Sequence, residues 1–321
     1  MSGEAPVSGL LVVDKPAGCT SHDVVDRVRK VFGITKVGHA GTLDPSATGV
    51  LLVGLGKATR LLSFVQGLPK EYRAAVKFGI STTSQDAEGE VIREKPCSSD
   101  LEKVRAAAGE FVGELTQLPP MVSAVKVGGE PLYKAARRGE QVDRPQRTVR
   151  VYALEIEHFD AEDQTATIYV KCSSGTYVRT LASDLGDAIG CGGHVTSLRR
   201  LSIGSFNEGQ AIALAALENL KPAEALGSVL SLREAMRDFP QRTVKDAELD
   251  AVSHGRELGP AEPPRRLGEL PVMSMKRSGD RPAHEVGMTT GIPVGILEPG
   301  GELIAVYRKG PHGLKAAAVL I

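Results

Sequence analysis

Residues 38–53 read Gly38-His39-Ala40-Gly41-Thr42-Leu43-Asp44-Pro45-Ser46-Ala47-Thr48-Gly49-Val50-Leu51-Leu52-Val53. No other stretch constrains the chain as tightly. Gly38, Gly41 and Gly49 open backbone conformations closed to other residues. Pro45 fixes its own φ and drives Asp44 toward an extended conformation. The segment therefore predicts a rigid, turn-rich loop delivered straight into a buried strand at Val50–Leu55. A loop anchored in that way is a good mount for a reactive carboxylate. An Asp in such a place also serves as an ordinary turn anchor, and local physics leaves both readings of Asp44 open.

The rest of the 321-residue chain frames that loop. Its length suggests two domains. Hydrophobic residues make up 41 % but aromatics only 4 %, with no Trp, so the cores are expected to be aliphatic. Leu10–Asp14 reads as a buried strand. Ser21 is placed to cap a helix through Phe32, with Val24, Val25, Val28 and Val31 on one face. Lys57–Val65 reads as a short helix, Tyr72–Phe78 as an alternating strand, and Ser81–Gly89 as an acidic loop. A helix is expected at Asp100–Phe111, a strand pair at Val149–His158 and Thr165–Cys172, and a helix at Thr176–Ile189. Strands outnumber helices without alternating with them, which predicts an α+β fold with a mixed, mostly antiparallel sheet. Residues 206–240 read as a helical connector. A helix at Asp246–His254 and strands at Val294–Leu297, Leu303–Tyr307 and Ala316–Leu320 predict a small β-rich module, so the expected division is 1–240 and 241–321.

Five separated segments resemble, in order, the motifs of the TruB-type tRNA pseudouridine synthases. They are Gly9-Leu10-Leu11-Val12-Val13-Asp14-Lys15-Pro16-Ala17-Gly18-Cys19-Thr20-Ser21, the Asp44 loop, Lys70-Glu71-Tyr72-Arg73, Ser173-Ser174-Gly175-Thr176-Tyr177-Val178-Arg179-Thr180-Leu181, and Gly193-His194-Val195-Thr196-Ser197-Leu198-Arg199-Arg200-Leu201. The resemblance implies a pseudouridine-synthase catalytic core with a C-terminal PUA-like RNA-binding module. It also implies isomerisation of uridine 55 in the tRNA T-loop. Asp44 is then the nucleophile, Arg179 its counter-ion, and Tyr72 the ring that stacks on a flipped-out base. Whether Asp44 attacks ribose or base, or takes a ribose proton, stays open. The resemblance also places His39 at the RNA-facing edge, Tyr177 and Leu198 around the pocket, and Lys15-Pro16 as a brace for the loop.

The chain carries 39 basic and 39 acidic residues, so a polyanionic partner requires segregated charge. Residues 126–150 hold seven basic and three acidic side chains, and they resemble the family's RNA-gripping insertion near 123–150. Lys126, Arg137 and Arg138 are the candidate phosphate contacts. A second cluster comprises Arg265, Arg266, Lys276, Arg277 and Arg281, within an irregular, Pro-rich stretch at 259–291. The expected partner is the tRNA T-stem-loop, bound by a monomer with no obligate protein partner. The chemistry asks for no cofactor and no metal. The N-terminus lacks a signal-peptide pattern and no apolar run is long enough to span a membrane. The scattered Cys19, Cys97, Cys172 and Cys191 are accordingly expected as free thiols of a cytoplasmic protein. Competing readings are a guide-dependent synthase, a tRNA-binding folding factor, and an unrelated Asp-nucleophile hydrolase. The last would want a second acid or base, for which the motifs offer no candidate.

Overall fold

The computed structural model describes residues 7–120, 126–127, 130–131, 138, 143–259, 291–309 and 313–321. The chain opens with β1 (Gly9–Lys15), α1 (Ser21–Phe32), β2 (Val37–Ala40) and β3 (Thr48–Leu55). A 3-10 turn at Gly56–Arg60 and α2 (Leu62–Val65) stand where one short helix is expected from sequence. Then come β4 (Lys70–Phe78), the β5 (Ile80–Thr82) and β6 (Val91–Glu94) hairpin, α3 (Leu101–Gly109) and β7 (Gly113–Gln117). The short pair β8 (Lys126–Val127) and β9 (Glu130–Pro131) precedes β10 (Arg147–Asp160), β11 (Thr165–Cys172), α4 (Val178–Ile189) and β12 (Gly193–Ile203). The connector holds β13 (Phe206–Asn207), β14 (Ile212–Ala213) and β15 (Val229–Leu230) with short helical turns. The C-terminal part holds β16 (Gln241–Thr243), α5 (Asp246–Ser253), β17 (Pro293–Leu297), β18 (Leu303–Lys309) and β19 (Leu314–Val319). The irregular stretch at 259–291 falls almost wholly outside the described residues.

One large sheet runs β14-β1-β3-β12-β4-β11-β10-β7, with β15 added to β1, β2 to β3 and β13 to β12. Its described pairings are antiparallel except β1 with β14 and β12 with β3. The sheet is therefore mixed and mostly antiparallel, as the element pattern predicts. Strands β1 and β3 read as unbroken apolar runs because both of their faces are covered. Leu11, Val13, Leu51 and Val53 meet Val24, Val25 and Val28 of α1. The alternate residues Leu10, Val12, Val50 and Leu52 face the other way, toward Leu61, Phe64 and Val65. Farther along the sheet, α3 and α4 bury Val104, Ala108, Leu181 and Leu185 against β4, β10 and β11.

Two local expectations are corrected. Thr20, not Ser21, caps α1: the Asp23 amide donates to Thr20 Oγ1 at 3.1 Å and Asp23 Oδ2 accepts from the Thr20 amide at 2.8 Å. This reciprocal box satisfies two otherwise orphaned donors and leaves Ser21 for another contact, described below. The cysteines are not all free thiols. Cys97 and Cys191 are disulfide-bonded across 94 residues of sequence, with Cα atoms 5.5 Å apart, while Cys19 and Cys172 are free and buried. Sequence spacing could not show that pair, because the loop before α3 and the end of α4 meet only in the folded chain.

The C-terminal sheet, ordered β16-β17-β18-β19, is β-rich as expected. One face packs Ile296, Ile304 and Tyr307 with Val244, Val252 and Leu258. The other contributes Leu297, Leu303, Val306 and Leu320 to the same apolar cluster as Leu10, Val12, Leu52 and Phe206. The two sheets thus share a core. Each fully buried aliphatic side chain is worth about 1.5–3 kcal/mol, so ending the chain at residue 240 removes support comparable to the whole stability of a domain. Thermal unfolding of such a truncation, followed by circular dichroism, is expected to show a midpoint lower by about 10 °C or more, with the hydrophobic dye ANS bound at ambient temperature. An unchanged midpoint would mean that the shared cluster adds nothing to the larger part.

Candidate active site

The Asp44 loop joins β2 to β3 and is held by main-chain contacts from several directions. Gly41 and Gly49 have φ of +78° and +101°, the left-handed region that glycine enters without strain. Gly38 lies in β2 and has no such φ. Ser21 Oγ accepts from the Leu43 amide at 2.9 Å and donates to the Leu43 carbonyl at 3.2 Å. Leu43 is thereby clamped on the residue just before Asp44. The carbonyl of Pro45, on the other side, accepts from the Gly18 amide at 2.9 Å and from Lys15 Nζ at 3.1 Å. Lys15 is fully buried and also donates to the carbonyls of Pro16 and Cys19 at 2.9 and 2.7 Å. The lysine therefore ties the end of β1 to the loop, which is the bracing that the resemblance implies for its motif.

Arg179 lies in the first turn of α4 and is 4 % exposed. Its Nε stands 3.1 Å from Asp44 Oδ2. Its Nη1 donates to Asp86 Oδ2 at 2.8 Å and to the Ser84 carbonyl at 3.0 Å. The pairing of Asp44 with Arg179 was legible in the motifs, but Asp86 was not. Asp86 is 7 % exposed and lies between β5 and β6, in the stretch that reads from sequence as a polar, acidic loop. Its Oδ1 accepts from Ser84 Oγ and from the Glu88 amide, and Thr82 Oγ1 donates to its carbonyl. Gln85 takes a left-handed φ of +63°, its side chain accepts from Thr180 Oγ1 at 3.0 Å, and its carbonyl accepts from the Val195 amide. Nothing in the run Thr82-Thr83-Ser84-Gln85-Asp86 has a distinctive spacing, so only the fold shows that this turn docks beside Arg179.

Burial raises the Asp44 carboxyl above its usual range. Arg179 opposes the rise, Asp86 adds to it, and Lys15 and Arg200 oppose it. The carboxylate nonetheless keeps 38 % side-chain exposure, whereas Arg179 and Asp86 keep 5 % and 10 %. Asp44 is thus the accessible end of a three-member ion cluster. Tyr72, on β4, is 7 % exposed and belongs to the apolar cluster that contains Leu43 and Ala47, with half-buried Leu198 packed against it. Tyr72 and Leu198 thus share one apolar cluster with Leu43 and Ala47, which flank Asp44 in the loop. Burial raises the Tyr72 phenol, so it is neutral near pH 7.

Tyr177 precedes α4 and is half-buried. Both amide atoms of Gln117 clamp its main chain, and the Arg147 guanidinium lies 5.4 Å from its ring centroid. His39, on β2, is half-buried with Nδ1 lacking a hydrogen-bond partner among the described residues, and burial lowers its pKa with help from Arg200 and His22. Among the candidate RNA contacts, Lys126 lies in β8, Arg138 is exposed in a turn, and Arg137 lies outside the described residues.

Two more buried cations underlie the loop and escaped sequence reasoning. Arg200 is 1 % exposed, and Lys70 is 4 % exposed with Nζ donating to the Gln66 and Leu68 carbonyls. Burial, with Arg200 adding to it, pushes the Lys70 amine from 10.5 down to about 7. Between those two values the unfolded chain carries a proton that the folded chain does not, so this group makes stability rise with pH across that window. Below about 7 the penalty of a charged, buried amine is fully present. The urea midpoint is expected to climb as pH rises above neutrality and to climb less in Lys70→Met. Parallel profiles in the two proteins would show that Lys70 titrates normally.

The ion cluster and its motifs can be set beside known proteins. The TruB family pseudouridylate synthase N-terminal domain matches residues 29–178, and the tRNA pseudouridylate synthase B C-terminal domain matches residues 179–238. A tRNA pseudouridine synthase B of Syntrophotalea carbinolica is 40 % identical over 303 residues, which cover 94 % of this chain and 92 % of that one. The protein of the same name from Mycobacterium tuberculosis is 45 % identical over 262 residues, covering 80 % and 86 %. Among solved structures, a Cbf5-Nop10-Gar1 complex contains a chain 26 % identical with a TM-score of 0.70, covering 98 % of this chain and 85 % of that one. A chain of an H/ACA RNP bound to a substrate RNA shares the fold at 24 % identity, with a TM-score of 0.69 and coverage of 98 % and 85 %. Through residues 29–238 and its close relatives, this chain belongs to the TruB family of pseudouridylate synthases.

Proposed function

We propose that this chain converts uridine 55 in the T-loop of tRNA to pseudouridine, with Asp44 as the nucleophile. The carrying observation is the Asp44 carboxylate, accessible on one side and held by buried Arg179 on the other. The reaction breaks the bond between ribose C1′ and uracil N1, turns the base, and joins C1′ to C5. N1 gains a proton and C5 loses one, so substrate and product are isomers and no electrons are exchanged. A carboxylate fixed by a guanidinium suits this work because it stays an anion where burial would otherwise favour its acid.

A uridine stacked within the T-loop is out of reach and has to be extruded, at a cost of a few kcal/mol. Stacking on Tyr72 offsets about 1–3 kcal/mol of that cost. Leu198 and Tyr177 flank the base, and His39 holds the flipped nucleotide at the rim. Lys126, Arg137 and Arg138 belong to the basic segment that grips the phosphates, contacts that position RNA without reading its sequence. Residues 1–240 act as the catalytic part and 241–321 as a PUA-like RNA-binding part. The protein works as a monomer in the cytoplasm; among the described residues no helix is long and apolar enough to cross a membrane. The names of the relatives at 40–45 % identity favour a stand-alone tRNA enzyme over a guide-dependent one.

The test is an unmodified tRNA transcript mixed with purified protein and EDTA, with no guide RNA and the tRNA refolded beforehand. Chemical mapping is expected to find one pseudouridine, at position 55. Asp44→Asn is expected to abolish it while tRNA binding stays near the parental level, because the change is almost isosteric. Parental turnover by Asp44→Asn would remove Asp44 from the nucleophile role, and a requirement for a guide would move the chain to the competing reading.

A further inference from the structure

Arg200 is among the largest fully buried side chains, and it carries a guanidinium into that buried position. Among the described residues it forms no salt bridge with a carboxylate. An unpaired buried charge is costly, so what it touches matters. Its Nε donates to the Val50 carbonyl at 2.7 Å and its Nη2 donates to the Gly41 carbonyl at 2.8 Å. Those two carbonyls bracket the loop that carries Asp44. In the sheet Arg200 lies between Gly49 on β3 and Tyr72 on β4, in register with both.

We propose that Arg200 is a positioning residue that staples both ends of the Asp44 loop from beneath and so fixes where the Asp44 carboxylate stands. This rests on the reading of Asp44 given above. The two left-handed glycines of the loop fit the same assignment. A Cβ on Gly41 would stand 3.4 Å from Arg200 Nη1, and one on Gly49 would stand 2.2 Å from the Arg200 carbonyl oxygen. Both glycines therefore let the main chain close onto Arg200. The adjacent Arg199 anchors the same strand to β1 through two 3.0 Å bonds to the Asp14 carboxylate. A planar fork can span separated acceptors, whereas a lysine ammonium is a single point.

The experiment compares the parent with Arg200→Lys, Arg200→Gln and Gly49→Ala in single turnover at saturating enzyme, alongside tRNA affinity and hydrogen exchange. A misplacement of about 1 Å costs up to roughly 100-fold in rate. A folded Arg200→Lys is therefore expected to lose roughly ten- to hundred-fold in single-turnover rate with tRNA affinity unchanged. Exchange at the Leu43 and Ala47 amides is expected to quicken, while α1 keeps its protection. A parental rate in folded Arg200→Lys, unchanged loop exchange, or a loss expressed in affinity alone overturns the proposal. Should neither Arg200 variant fold, a parental rate in folded Gly49→Ala, whose added Cβ pushes on the Arg200 main chain, overturns it. Loop exchange that responds to Arg200→Lys in a parent that modifies no uridine would instead sink the reading of the site and leave the staple standing.

Discussion

The site depends on one guanidinium shared between two carboxylates. Arg179 reaches Asp44 on one side and Asp86 on the other while almost wholly withdrawn from water. The first turn of a helix is a poor place for a cation, because the helix dipole is positive there. Two flanking carboxylates reverse that disadvantage. The two acids would in turn disfavour each other's charge without the cation between them. The cluster also has a direction. Asp86 is fixed by Ser84 and the Glu88 amide, so it is a buried counter-charge, whereas Asp44 keeps an open face for a reacting atom. The second acid wanted by the hydrolase reading does exist, but it is directed at Arg179 and is 7 % exposed.

Around this cluster the fold uses cations to hold main chain. Lys15 binds three carbonyls, Lys70 two, and Arg200 the two that bracket the loop. Carbonyl oxygens satisfy the donors but do not neutralise the charge, which is why burial lowers both lysine amines. The same charges favour the Asp44 anion, since Lys15 and Arg200 both pull against the rise that burial imposes on it. One set of residues thus shapes the loop and supplies a positive field beneath it. Loop shape and charge state are physically linked here, and a change at Lys15 or Arg200 disturbs both.

Much of the larger part was legible because its signals are local. Apolar runs at β1 and β3, valine periodicity in α1, and alternation in β4 and β11 all gave the right elements, and the motif order put Asp44 beside Arg179. What escaped was set by tertiary contact. Asp86, Ser84 and Gln85 become meaningful only when the β5–β6 hairpin docks on α4. Ser21 looks like a cap because it opens a helix, yet Thr20 takes the cap and frees Ser21 to clamp Leu43. Arg200 and Lys70 stand inside two of the family-like motifs without an assigned role, and nothing in a one-dimensional pattern says that a buried cation will be fed by carbonyls. The disulfide between Cys97 and Cys191 was missed for the same reason, since its halves stand 94 residues apart.

In the proposed reaction Asp44 is the titrating nucleophile, held by Arg179, which Asp86 shares. Its most direct test is the acid limb of the single-turnover rate on tRNA, measured in the parent and in Asp86→Asn. With the Asp44 anion as the proposed reactive form, the rate is expected to fall as pH drops through the Asp44 pKa, which burial sets above the ordinary carboxylate value. Removing the Asp86 charge takes away a cause of that rise and frees Arg179 for Asp44, so the limb is expected to move to lower pH. A limb that stays in place or moves upward would contradict the account, because the group that limits the rate would then not be the carboxylate that Arg179 holds.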